Sequence, residues 1–198
     1  MYSKISKKIT EYFISKNIIN SSDREIYEYS YEVMISQSVY IIIMLLISMV
    51  FGAVLESLCF FIGFFLCRKF SGGYHAATYT KCHILFIINQ IAFLLLLNCI
   101  NNNYYWLATI VAIIISIIII FLIAPIDHPN KPFTTKEMIK FRKRSKYFAI
   151  VLVPAYILFY LIDKNNPFSF CFSIGVLSVS LSLLYAFFER RKNTNEKV

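Results

Sequence analysis

Six apolar stretches set the rhythm of this chain. Residues 38–55, 57–67, 84–100, 104–126, 147–162 and 168–188 are dense in Ile, Leu, Phe and Val, with polar segments between them. A helix needs about 20 apolar residues to cross a bilayer. The stretches 84–100 and 104–126 read as clear spans, and 147–162 and 168–188 form a second pair. Residues 38–55 have the length to cross, whereas 57–67 is too short to do so without help from its neighbours. The break after 84–100 is only Asn101 to Asn103, and the break after 147–162 is Asp163 to Pro167. Ahead of the spans, residues 4–19 are amphipathic. Ile5, Ile9, Tyr12, Phe13 and Lys16 fall on one side at helical spacing, and Lys4, Lys7, Lys8 and Glu11 mostly elsewhere. Such a helix either lies in the membrane interface or packs on the protein's own cytoplasmic segments. Ser22 to Glu25 has the pattern of a capping box, so a second helix is predicted to start there. The fold class is an all-α, polytopic integral membrane bundle. It has six apolar segments, four to six of them spans, behind an N-terminal amphipathic helix. Residues 1–198 form one membrane domain. Within it, 1–37 are cytoplasmic or interfacial helices, 38–188 the transmembrane bundle and 189–198 a cytoplasmic tail.

Composition agrees. Of 198 residues, 58% are hydrophobic, against about 45–50% in a soluble domain, and the mean hydropathy is +0.63. The formal net charge of +9 could suggest nucleic acid, but the positive residues cluster beside the apolar stretches, where Lys and Arg orient a membrane protein. The loop 127–146 carries Lys131, Lys136, Lys140, Arg142, Lys143, Arg144 and Lys146 against Asp127 and Glu137. That loop and the tail Arg190 to Lys192 are therefore expected in the cytoplasm, and so is the polar island 68–83. Residues 38–67 then cross twice or not at all, and Glu56 favours two crossings because a charge is costly at the bilayer centre. The N-terminus is basic but no apolar core follows it directly, so no cleavable signal peptide is expected. The five cysteines show no disulfide or zinc spacing. Cys59, Cys67, Cys99 and Cys171 lie in apolar segments and read as packing residues.

Candidate chemistry sits in the island. Residues 68–83 hold two of the three histidines, two of the five glycines and the one cysteine in polar surroundings, Cys82. A cysteine nucleophile acts as the thiolate, and a neighbouring histidine can take its proton. Cys82 stands where the apolar helix 84–100 opens, and a helix N-terminus favours negative charge. Lys81 is adjacent, and His75 lies seven residues upstream. On one straight helix that spacing separates the pair by about 10 Å, too far for proton transfer, so a turn between them is required. Gly72 and Gly73 make the backbone permissive, Thr78 or Thr80 could cap the following helix, and the glycines could bring backbone N–H groups to an oxyanion. His83 is a poorer base, since adjacent helical residues diverge. Cysteine and histidine at this spacing are weak evidence alone, and Gly-Gly beside a span is often only a loop. A metal site from His75, Cys82, His83 and His128 matches no standard ligand spacing and has no carboxylate, so no metal and no cofactor are expected.

The run Arg68 to His75 (Arg-Lys-Phe-Ser-Gly-Gly-Tyr-His), followed by Cys82, resembles the accessory gene regulator B (AgrB) family. So does Ala124 to Pro132 (Ala-Pro-Ile-Asp-His-Pro-Asn-Lys-Pro) at the end of a span. The resemblance covers nearly the whole chain, in length, order of spans and both motifs. It implies an integral-membrane cysteine endopeptidase of the bacterial cell membrane. Such a protein removes the C-terminal tail of an AgrD-like quorum-sensing precursor and closes a thiolactone or lactone ring. By that resemblance His75 and Cys82 are the catalytic pair. Arg68, Gly73 and Lys131 fall in the family pattern and, with Gly72, are candidates for oxyanion or substrate support; the charge distribution puts the site on the cytoplasmic side. Partners would be the precursor peptide and the lipid bilayer, not nucleic acid, with a homodimer as one open alternative. Two rival readings are a small transporter or exporter, disfavoured by spans almost without ionisable residues, and a non-enzymatic membrane scaffold. The basic segment could hold an acidic leaving tail or simply set topology.

Overall fold

The computed structural model describes residues 2–72, 79–126 and 134–195. The described residues form seven α-helices: α1 (Tyr2–Ser15), α2 (Arg24–Val50), α3 (Val54–Ser71), α4 (Tyr79–Cys99), α5 (Tyr105–Ile123), α6 (Thr135–Ile162) and α7 (Pro167–Asn195). Short 3-10 turns at Ser21–Asp23 and Asn102–Tyr104 precede α2 and α5. The described residues contain no strand. Helices α2, α4, α5, α6 and α7 are long and apolar enough to cross a membrane. Helix α3 has 18 residues, with Glu56 in its first turn and Arg68 and Lys69 in its last. At 1.5 Å per residue that is about 27 Å, close to the thickness of a hydrocarbon core. Its charges thus sit at its two ends. Polytopic membrane architecture follows, with Leu122, Ile150, Leu158 and Leu161 among the large apolar side chains left exposed on the outer faces. In lipid such exposure carries no hydrophobic cost.

The chain alternates between two ends of the bundle. One depression is lined by Phe51, Gly52 and Ala53 between α2 and α3, by Ile100 to Asn103 before α5, and by Pro167 opening α7. Three connections therefore meet at one end. At the other, the Ser145 hydroxyl near the start of α6 donates to the Phe70 carbonyl near the end of α3, at 2.7 Å. This alternation is the geometry of the alternative in which residues 38–67 cross twice.

Helices α3 and α7 run side by side in the same direction and make the closest crossing. Neither Gly63 nor Gly175 could carry a Cβ: one at Gly63 would overlap the Phe172 carbonyl, and one at Gly175 would overlap the Phe60 carbonyl and lie 2.8 Å from the Phe64 backbone nitrogen. Small residues let backbones approach where no hydrophobic effect drives association. Aromatic rings fill the next layer. Phe60 stacks on Phe93 of α4 with centroids 4.3 Å apart, and Tyr105 stacks on Phe170 at 4.5 Å. A polar cluster is buried among α2, α3 and α4, where the Gln90 amide donates to Ser57 Oγ at 2.9 Å and Ser48 Oγ at 3.3 Å.

The structure adds to or corrects expectation at three helices, α1, α2 and α6. Helix α1 packs along α2, but it turns Ser6 and Thr10 inward and leaves Ile5 and Tyr12 exposed. Its hold on α2 is a stack of Phe13 on Tyr31 at 5.9 Å and a bridge from Arg24 to Glu11 and Glu28, both at 2.7 Å. Small side chains win the interface because they allow the axes to close in. Helix α2 does start at Arg24, but its N-cap Asp23 forms no side-chain cap. The capping box is found instead at Thr134 and Glu137, and it opens α6. Consequently residues 135–146 are the first turns of α6 rather than loop. Lys, Arg and Glu are good helix formers, so charge there does not interrupt the helix.

Candidate functional site

Cys82 lies in the first turn of α4, which begins at Tyr79. It is half-buried. Leu85, Phe86 and Asn89 follow it at spacings of three, four and seven, which puts all four on one face of the helix. That face looks across a cavity of about 390 Å³ at Tyr40 of α2, Phe64 and Arg68 of α3, and Ser178, Ser182 and Tyr185 of α7. Because α4 runs opposite to α3 and α7, the lining falls into two layers. Cys82, Arg68, Ser182 and Tyr185 form the layer nearer the bundle end. Phe64, Phe86, Asn89 and Ser178 lie deeper. The deeper layer is knitted by rings, with Phe86 against Tyr40 at 3.5 Å and against Phe64 at 5.7 Å. The Arg68 guanidinium stands 5.9 Å from the Phe64 ring, in range of a cation–π contact. The arrangement sets a thiol and a fixed positive charge over an apolar chamber.

His83 points elsewhere. Its Nε2 is 3.2 Å from the Ser36 carbonyl and 3.4 Å from Ser36 Oγ, and its ring faces those of Tyr2 and Tyr40 at 5.9 and 6.1 Å. A carbonyl only accepts, so Nε2 is the protonated nitrogen and donates. His83 therefore ties α4 to α2 and α1. Gly72 ends α3 with φ +79°, a conformation that suits glycine. Its N–H donates to the Arg68 carbonyl at 3.0 Å, and a Cβ there would lie 3.4 Å from the Ile126 carbonyl. The two motif-bearing segments thus touch where they leave α3 and α5. His75, Gly73, Thr78, His128 and Lys131 lie outside the described residues. Among the described residues no group of three or more His, Cys, Asp or Glu side chains is placed to hold a metal.

Residues 6–183 match the family described as Accessory gene regulator B. The chain belongs to that family. Two Clostridium perfringens proteins are similar along most of their length. "Putative AgrB-like protein 2" of strain 13 is 30% identical over 162 residues, covering 79% of this chain and 74% of that protein. "Putative AgrB-like protein" of strain SM101 is 28% identical over 189 residues, covering 93% of this chain and 86% of that protein. No solved structure matches. Family membership connects the chain to the accessory gene regulator system and agrees with a membrane location.

Of the AgrB motif residues expected to act, the structure brings Arg68 and Cys82 to one cavity. The remaining cysteines are elsewhere: Cys67 and Cys171 are buried in the core, Cys59 is half-buried against it, and Cys99 is exposed at the opposite end, beside the interhelical turns. Cys99 is thus not the packing residue its apolar segment suggested. Sequence reasoning missed Tyr40, Asn89, Ser178, Ser182 and Tyr185. Asn89 carried a signal, as an amide inside an apolar run. The α7 residues carried none, since serines recur throughout that helix and a lone tyrosine in an apolar run reads as packing.

Proposed function

We propose that this AgrB-family protein is a membrane cysteine endopeptidase. It cleaves the C-terminal tail from an AgrD-like quorum-sensing precursor and promotes ring closure of what remains. The observation that carries the reading is Cys82, half-buried at a helix start and lining a cavity with Arg68. In this scheme His75 takes the Sγ proton of Cys82, and the thiolate attacks the scissile carbonyl. A C–S bond forms, the peptide C–N bond breaks, and the imidazolium returns its proton to the departing amine. An internal thiol or hydroxyl of the precursor then attacks the thioester. The ring closes, and Cys82 leaves as the free thiol. Excluding water favours this cyclisation over hydrolysis. Arg68, with Gly73 and Lys131, supports the oxyanion or the substrate. The site faces the cytoplasm, in keeping with the basic first turns of α6 and the Arg190 to Lys192 tail.

The test uses purified protein with a synthetic precursor that has an amphipathic leader, an internal Cys and an acidic tail. Wild type forms a covalent adduct that hydroxylamine releases, as a thioester requires. His75→Ala forms far less, and the double variant with Cys82→Ala is little worse than either single one. A hydroxylamine-resistant adduct, or full activity without His75, overturns the mechanism. Labelling of a cysteine placed at residue 137 from outside the cell, with none at residue 102, overturns the orientation.

A further inference from the structure

The cavity beneath Cys82 extends well past the thiol. Asn89 lies two turns further along α4 on the same face, about 10 Å deeper along the axis. Between them the walls are Leu85, Phe86, Phe64 and Tyr40. Such a chamber, apolar along its sides with a few polar groups at fixed positions, is the usual form of a ligand pocket, and about 390 Å³ falls in the ordinary size range. Its base is a polar pair, Asn89 and Ser178. Asn89 has no hydrogen-bond partner among the described residues. An amide left unpaired at membrane depth is costly unless something reaches it. The mouth and base are also rigidly spaced, because each wall is a helix face: Phe64 and Arg68 are one turn apart on α3, and Ser178, Ser182 and Tyr185 follow one another on α7.

We propose that this chamber is the acyl-side specificity pocket. It takes the side chain of the residue that donates the scissile carbonyl, and it selects a large apolar one. The proposal rests on Cys82 being the nucleophile, and it names the part of the substrate the same site reads. A carbonyl held about 3 Å from the thiol places its own residue's side chain at the chamber mouth. Alanine would leave most of the space empty. A long or aromatic side chain would lie along the wall that Phe64 and Phe86 form together and bring its tip toward Asn89. Ser178 is the specificity-determining residue on α7, since any larger side chain there shortens the chamber from its base, far from the Cys82 thiol.

The experiment compares initial rates of hydroxylamine-labile adduct formation for two versions of the synthetic precursor, one with Phe and one with Ala at the residue donating the carbonyl. Wild type is expected to favour Phe by about tenfold or more, the discrimination an apolar pocket gives for several methylenes. Ser178→Leu is expected to bring the Phe-to-Ala ratio close to one. Asn89→Leu, which keeps the volume and removes the amide, carries the same comparison if Ser178→Leu does not accumulate: a Phe-to-Ala ratio raised by the loss of the polar base supports the pocket. Adduct formation with no side-chain preference, or variants that slow both precursors equally, overturns the pocket while leaving the peptidase reading intact. No hydroxylamine-labile adduct with any precursor overturns the peptidase reading and the pocket together.

Discussion

Helices α3 and α7 and helix α4 are held by opposite means. The first two meet backbone to backbone through Gly63 and Gly175. Helix α4 stands off from that pair, separated by the rings of Phe60 and Phe93 and of Phe64 and Phe86. The nucleophile candidate is carried by the helix that stands off, and Arg68 by the one that is locked. The cavity is the gap this difference leaves. In a bilayer, where lipid solvates apolar side chains as well as protein does, close approach requires small residues and separation requires large ones. The distribution of Gly and Phe along these helices therefore decides where an open chamber can exist. The polar depression at the opposite end contrasts with it, being built from turns whose amides serve their own backbone. There the Asn101 side chain accepts from the Asn103 N–H at 3.0 Å.

The comparison can be broken or sharpened at four places. The largest effect is expected at the thiol. Cys82→Ala should reduce precursor cleavage by about a thousandfold or more while the protein still accumulates in the membrane, as scored by immunoblot and peptide mass. Cys99→Ala, at the other end, should leave cleavage near wild type, and the reverse result would place the chemistry at the wrong end of the bundle. Next is the lock. Gly175→Val pushes a branched side chain into the Phe60 carbonyl, with overpacking that costs about 3 kcal/mol. Its melting temperature in detergent should fall sharply, and an unchanged melt would mean the α3–α7 crossing is looser than described.

A smaller effect belongs to the polar cluster that ties α4 to α2 and α3. Gln90→Ala removes two interhelical hydrogen bonds, each worth about 0.6 kcal/mol on average in membranes, and leaves a small void. A melt lowered less than that of Gly175→Val is the expected outcome, and a drop as large as the glycine variant's would show that α4 is locked after all. The smallest effect is predicted for His83. Its Nε2 is occupied by Ser36, so His83→Ala should slow cleavage by less than about threefold. A loss comparable to that of His75→Ala would reassign the base.

How much of this was legible beforehand varied with distance along the chain. The positions of α2 to α7 could be read from apolar runs and their polar breaks, because a membrane helix satisfies its own backbone and needs only local sequence to form. Cys82 and His75 were legible as an isolated polar island, and Arg68 through the motif that holds them. Which face of α1 meets α2 was not legible, because hydrophobic periodicity reports which side is apolar and not which side can approach a neighbour. The basic segment 135–146 was read as loop because charge was taken as a break, although Thr134 and Glu137 form a capping box.

What the sequence by itself determined is the order of the apolar segments, the polar breaks between them and the identity of the nucleophile candidate. Each depends on residues within a few turns of one another. Tertiary structure alone decided that α3 and α7 run together, that α4 stands apart, and that Ser178, Ser182 and Tyr185 face Cys82 from nearly a hundred residues or more along the chain. Those outcomes depend on Gly63 meeting Phe172 and on Gly175 meeting Phe60. A glycine or a serine in an apolar run has no local signature of its partner, since its effect is to permit a contact whose other half is supplied by a distant helix.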